Sequence, residues 1–125
     1  IYINSFGWGR HMEKVTGIGG FFFAARDVPG LVAWYRDMLG IDPVPTDYDI
    51  TPWTTQAGVT VFTPFPSVEN PVDGTSLPFR INFRVDDLDA MIAQLEAAGV
   101  KVKRAEEVYP NGRFAWLNDP EGNSI

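Results

Sequence analysis

The sequence predicts an α+β domain built twice from one unit: a strand, a helix, then short strands. Three observations carry this. The first is the stretch from Phe79 to Gly99. Phe79, Ile81, Phe83 and Val85 are apolar and alternate with Arg80, Asn82 and Arg84, the period-2 pattern of a strand with two unlike faces. Asp87 then suits a helix N-cap, because its carboxylate can accept bonds from the first free N–H groups. Leu88, Met91, Ile92 and Leu95 form one helical stripe, and Gly99 supplies a left-handed stop. The second observation is that the unit recurs. Phe21 to Ala25 is apolar, Asp27 is the cap, Leu31, Trp34, Tyr35, Met38 and Leu39 make the stripe, and Gly40 is the stop. The third is the spacing. Asp27 and Asp87 stand sixty residues apart, Gly40 and Gly99 fifty-nine. Downstream, Gly58-Val-Thr-Val and Gly122-Asn-Ser-Ile each open a late strand, so the duplication is readable in one chain.

Taken in order, Ile1 to Gly17 shows no periodicity. His11-Met12 reads either as a cloning junction before a native Met12, or as part of a real N-terminal arm packing Tyr2, Phe6 and Trp8 on a neighbour. Residues 1–16 are set apart on this ground, and 17–125 form one domain. Gly19 to Arg26 is strand one, with Phe21, Phe23 and Ala25 on one face and Gly20, Phe22 and Ala24 on the other. The first helix runs from about Val28 to Leu39, with Pro29 tolerated in its first turn. Ile41 to Val44 is a short strand. Thr51 to Thr55 and Val59 to Thr63 read as a hairpin turning at Gln56-Ala-Gly58, closing a first module over about 17–64. Residues 65–78, with prolines 66, 71 and 78 and Gly74, are a linker draped over the surface or a loop covering a pocket. The second module spans about 79–125. After its helix come a strand over Lys101–Arg104, a loop, and a strand over Gly112–Asn118. Asp119-Pro-Glu-Gly-Asn123 is a strong turn. A last strand opens at Asn123 and is cut short at Ile125, where the pattern predicts continuation.

Composition bounds the function. The 125 residues suffice for one core, and the 45% hydrophobic content is globular. The net charge of −6 disfavours nucleic acid and favours solubility. There is no cysteine, which excludes disulfides and fits a reducing, cytoplasmic compartment. No run approaches the 18 or so apolar residues of a membrane span.

These pieces together resemble the vicinal oxygen chelate superfamily, the glyoxalase and bleomycin-resistance group. The matching stretches are Val85-Asp-Asp-Leu-Asp89 leading to Ala97-Ala-Gly-Val100, then Gly112-Arg-Phe-Ala-Trp-Leu-Asn-Asp-Pro-Glu-Gly-Asn123. Arg26-Asp-Val and Trp34-Tyr-Arg-Asp-Met-Leu-Gly40 match in the first half. The resemblance covers Gly17 to Ile125 and is specific for fold rather than reaction. It implies two βαβββ modules whose mainly antiparallel sheets curl into a cup that holds a ligand. Many members bind a divalent metal there through His, Gln and Glu. The first family position, seven before Asp27, is Gly20; its counterpart, seven before Asp87, is Arg80; the third, four after Gly58, is Phe62; the fourth falls past Ile125. Gly and Phe offer no donor and Arg is a fixed cation. The expectation is therefore no metal and no cofactor.

Alternation assigns the faces. Ile81, Phe83 and Val85 lie under the second helix, so Arg80, Asn82 and Arg84 face the cup, as do Gly20, Phe22 and Ala24, and Thr60 and Phe62 from the hairpin. Trp53, Tyr109, Phe114 and Trp116 are further lining candidates. Such an aromatic cleft with a few polar groups is the usual make-up of a small-molecule site. The alternatives are plain core or dimer packing for the aromatics. Arg84 and Asn82 would otherwise sit on a solvated edge or pair with Asp86, Glu106 or Glu107.

The leading expectation is a metal-free binding protein similar to bleomycin-resistance proteins, with a ligand held by Arg80, Phe62, Phe22, Asn82, Trp53, Thr60, Trp116 and Phe114. Arg80 suits an anionic or carbonyl-bearing ligand, unless it pairs with an internal carboxylate. The resemblance also implies a homodimer. One competing expectation is a lyase, isomerase or dioxygenase of the same superfamily, with Arg80, Tyr109 and Glu121 the few acid–base candidates and no nameable catalytic pair. The other is a vestigial interaction domain.

Overall fold

The computed structural model describes residues 13–66, 69–110 and 112–125. The suspected junction at His11-Met12 and the aromatic arm lie outside the described residues. Two helices, α1 (Val28–Leu39) and α2 (Leu88–Ala97), and two strands, β1 (Val102–Arg104) and β2 (Ala115–Leu117), follow in chain order.

Both helices begin and end where the duplicated signals lie. The Asp27 carboxylate accepts from the Gly30 N–H and the Asp87 carboxylate from the Ala90 N–H, each at 3.0 Å. Each cap satisfies a donor that the helix cannot, worth about 1 kcal/mol. Gly40 closes α1 at φ 69°, its N–H directed at the Arg36 and Tyr35 carbonyls. In α2 the cap falls on Ala98, and Gly99 at φ 85° turns the chain away.

β1 and β2 pair antiparallel, Val102 with Leu117, Lys103 with Trp116 and Arg104 with Ala115. The ladder is extended on the other side of β2: Leu117 and Ile125 exchange both backbone bonds, at 3.1 and 2.9 Å, and Asn118 bridges Ser124. The Ile81 N–H then donates to the Ser124 carbonyl at 3.3 Å. Residues 79–85, 123–125, β2 and β1 thus lie side by side in that order. α2 covers one face of this array. Leu95, Leu117 and Ile125 form the buried cluster there, with Ile81, Phe83, Met91, Val100 and Val102 against it. Trp34, Tyr35, Met38 and Leu39 of α1 pack on the same cluster, so the two halves share one core.

Both strands are shorter than expected. The strand over 101–104 starts at Val102, and that over 112–118 is regular only at Ala115–Leu117. The segment before β2 is spent on a tight bridge between Tyr109 and Gly112, the glycine at φ 137°. Among the described residues no ladder forms over 19–26, 41–44, 51–55 or 59–63. Val59, Val61 and Phe62 are exposed there. The paired modules and the cup therefore stay an expectation of the sequence.

The segment expected to drape over the surface is instead tied down through residues 69–77. Asn70 is 2% exposed and Leu77 is buried. Asn70 Nδ2 donates to Asn118 Oδ1 at 2.8 Å, and its Oδ1 accepts from the Val72 N–H. Asn118 Nδ2 donates to Asp73, which also takes both donors of Thr75. An asparagine whose amide serves its own turn and a neighbouring strand turns a proline-rich connection into a fixed strap.

Candidate functional site

The array has one face under α2 and an opposite face, to which the strap is tied at Asn118 and Lys103. Ile81 and Phe83 are partly buried against the core, whereas Arg80, Asn82 and Arg84 are exposed, so alternation places the polar set on the opposite side. Leu117 belongs to the core, so Trp116 and Phe114 share the face away from α2. The Trp116 partner Lys103 lies there too, its Nζ donating to the Pro71 carbonyl at 3.4 Å. Ser124 alternates with buried Ile125 and sits opposite Asn118, which puts its hydroxyl on the same side. Phe114 packs edge-on against Tyr109 with ring centroids 5.6 Å apart. Phe114 and Trp116 are half-buried, whereas Tyr109 is exposed.

The cations on this face differ in what they do. Arg84 Nη2 donates to the Gln56 carbonyl at 2.8 Å, and a β-carbon on Gly58 would overlap its guanidinium. Arg84 therefore latches the 56–58 turn of the first half to the second half and forms none of the ion pairs expected with Asp86, Glu106 or Glu107. Arg80 makes no ion pair and no side-chain hydrogen bond with any other described residue.

The remaining expected residues lie apart from this cluster. Phe22 and Phe62 are 93% and 89% exposed, Trp53 is exposed at 42%, and Thr60 is exposed. The Phe22 ring folds over Gly20, filling the space a side chain there would need. Phe21 and Phe23 point elsewhere, Phe21 against Phe79 and Phe23 against Tyr35, so the expected parity of this stretch is kept. The structure brings together Arg80, Asn82, Phe114 and Trp116 on one array. It does not bring Phe22, Trp53, Thr60 or Phe62 to them.

Of the acid–base candidates, Glu121 is occupied. Glu121 uses both oxygens to accept from the Arg26 and Asp27 N–H groups, at 2.6 and 3.0 Å, which together with Arg26 hold its carboxyl below the usual range. The Glu107 carboxylate pushes the Tyr109 hydroxyl up. Sequence reading missed the knot beside Glu121. The Asp119 carboxylate, 4% exposed, accepts from the Glu121 and Asn123 N–H groups, the Asn123 amide and the Tyr35 hydroxyl. Burial, then the bond to Asp119, pushes the Tyr35 hydroxyl up out of its ordinary range. Nothing in the α1 pattern distinguishes Tyr35 from an ordinary stripe residue.

Two concavities exist elsewhere. One of about 60 Å³ lies under α2 among Met91, Leu95 and Leu117, far below the roughly 300 Å³ of a ligand pocket. The other, about 290 Å³, lies between Arg26, Gly30 and Pro120, where Glu121 already occupies the free N–H groups.

The family model for the glyoxalase-like domain matches residues 20–125. The chain belongs to this family, within the vicinal oxygen chelate superfamily. No curated protein matches it. The three positions within the chain that the resemblance assigns to metal ligands hold the Phe22-covered Gly20, the exposed Phe62 and Arg80, which has no partner among the described residues. This set does not fit a divalent cation: it has no donor oxygen, imidazole or thiolate, and it places a fixed positive charge at one ligand position. Among the described residues no three His, Cys, Asp or Glu side chains gather where a metal could be held. None of the described helices is long and apolar enough to cross a membrane.

Proposed function

We propose that this glyoxalase-like protein is a metal-free small-molecule-binding protein, similar in role to the bleomycin-resistance members, and that Arg80 anchors an anionic or carbonyl-bearing ligand. The observation that carries this is Arg80 itself. It stands at the position that the resemblance assigns to a metal ligand, it is exposed and without a side-chain partner among the described residues, and it shares a face with Trp116 and Phe114. A fork of five N–H donors replaces the mobile cation with a fixed one suited to a carboxylate or polarised carbonyl. Phe22, Phe62, Trp53 and Thr60 complete the lining when the first half closes its sheet over this face. The binding form is a homodimer, because segments 19–26 and 59–63 leave unpaired edges and exposed apolar residues that need cover. A cytoplasmic location completes the reading.

Against the enzyme reading stands Glu121, whose two oxygens are committed to the Arg26 and Asp27 N–H groups. A thermal-stabilisation screen of small anions and carbonyl compounds tests the proposal. A ligand at a hundred times its Kd adds about 2.7 kcal/mol. Stabilisation by such compounds that survives chelation supports it. Stabilisation that requires added divalent metal overturns it, and no stabilisation by any compound favours a vestigial interaction domain. Sedimentation that shows only monomer at micromolar concentration removes the dimer.

A further inference from the structure

The strap over residues 69–77 is a self-contained unit laid on the face that carries Trp116. Its backbone closes on itself. The Asn70 N–H donates to the Thr75 carbonyl at 2.7 Å, the Gly74 N–H donates to the Asn70 carbonyl at 2.8 Å, and Glu69 bridges Ser76. Among the described residues, its hydrogen bonds to the array all involve the side chains of two array residues, Asn118 and Lys103. These two flank Trp116. Lys103 is its cross-strand partner, and Asn118 follows it by two residues on the same face. The strap is thus tied on either side of the half-buried indole. Its C-terminal end is pinned by buried Leu77, and three residues further on the chain reaches the exposed Arg80.

Resting on the proposed function, we infer that the strap is a self-inhibitory cover with Asn118 as its catch: a ligand anchored by Arg80 reaches the Trp116 ring only when the strap lifts. The strap and the apolar part of such a ligand need the same surface, so they compete for it. Lifting the strap costs little. From Glu69 to Ser76 no apolar side chain is fully buried, so little hydrophobic contact is given up. The bonds that break are side-chain bonds, which water replaces. The Lys103 contact is exposed and long at 3.4 Å. Asn118 is then the principal link, accepting from Asn70 at 2.8 Å and donating to Asp73 at 2.9 Å. The internal backbone bonds travel with the unit, and Leu77 and Pro78 stay behind as the hinge. The apparent affinity of the site is its intrinsic affinity reduced by the fraction of molecules with the strap lifted.

The test uses the full chain and two release variants, Asn118→Ala, which leaves the charge unchanged, and Lys103→Met. Fluorine NMR of protein carrying 5-fluorotryptophan reads the solvent exposure of Trp116, whose line is assigned with Trp116→Phe. Heteronuclear NOE values of residues 69–76 read the strap, and the aromatic anion 8-anilinonaphthalene-1-sulfonate is the binding probe. In Asn118→Ala the strap should gain motion, Trp116 should gain exposure, and the probe should bind about threefold to tenfold tighter. Lys103→Met should move the NMR readouts in the same direction by less. Arg80→Gln should weaken the probe by about tenfold in both the parent and the released background. Amide exchange at Ile92 and Leu95 of α2 should stay unchanged, which separates lifting from unfolding. If Asn118→Ala quickens that exchange, Lys103→Met decides. A strap that moves freely while Trp116 stays as shielded as in the parent overturns the inference, as does a strap that neither variant loosens. Tighter probe binding that ignores Arg80→Gln overturns it too, because the uncovered surface then lies outside the Arg80 site. Exposure of Trp116 with no gain in probe affinity overturns the self-inhibition, and the wider ligand screen then decides the proposed function by itself.

Discussion

Removing the Asp119 carboxylate should be among the most damaging single changes outside the apolar core. Its four bonds join the turn to α1, because Tyr35 reaches it across 84 residues of sequence at 2.7 Å. Asp119→Ala strands two backbone N–H groups, the Asn123 side-chain amide and one hydroxyl. A fully buried orphan costs about 1–3 kcal/mol, and partial hydration around Glu121 and Asn123 lowers the sum to about 3–5 kcal/mol. Tyr35→Phe removes a single charge-assisted bond while keeping the ring packed near Phe23, Trp34 and Phe83. It should cost about 1.5–3 kcal/mol, at the low end because Tyr35 is only half-buried. Urea unfolding of both single variants and the double variant gives the coupling, expected at about 1–2 kcal/mol with unchanged m-values. Additive losses, or an Asp119→Ala cost below about 1 kcal/mol, would refute the latch. The bond has a pH signature as well. The folded state raises the Tyr35 hydroxyl above its ordinary 10.0, so its contribution is intact below pH 10 and is lost as the pH climbs beyond that. Parent protein should lose stability there more steeply than Tyr35→Phe.

Other perturbations probe single links. Asp89 accepts from Arg113 and Arg104, which lower its carboxyl from 3.8 to about 2. That contribution is present above pH 3.8 and fades as the pH falls towards 2, so Asp89→Asn should flatten the acid limb of a stability–pH curve. Leu95→Ala, at a position 2% exposed, should cost about 2–5 kcal/mol by chemical denaturation. Gly58→Ala should cost only about 0.5–1.5 kcal/mol, because the overlapping Arg84 guanidinium is a flexible tip that swings away and forfeits its bond to Gln56. Glu121→Ala should speed hydrogen exchange at the Arg26 and Asp27 amides, and unchanged exchange would deny the clamp.

What the sequence made legible was local. Asp27, Asp87, Gly40 and Gly99 act within a few residues of themselves, so caps and stops could be read as chemistry at fixed offsets. The alternation from Phe79 to Val85 is likewise intrinsic to a strand, and Ile81 and Phe83 do face α2. The missed features are long-range pairs of ordinary residues. Tyr35 with Asp119, Arg84 with Gln56, and Asn70 with Asn118 lie between 28 and 84 residues apart. Each partner has a satisfactory local explanation, as stripe, strand or loop residue, and periodicity carries no record of the other.

Those long-range bonds share a direction that bears on function. Asp119 and Glu121 hold α1 and its cap, Asn118 holds the strap and Arg84 holds the 56–58 turn, so the second half grips both the first half and the connection between them. All are satisfied within the chain. The Arg80 and Ser124 side chains, on the same array, find no partner among the described residues. Unpaired charge on a solvated loop has little meaning, because water satisfies it. Arg80 differs from such a charge in its place, on the same face as the half-buried Trp116 and Phe114, and that is the ground on which a ligand is proposed there.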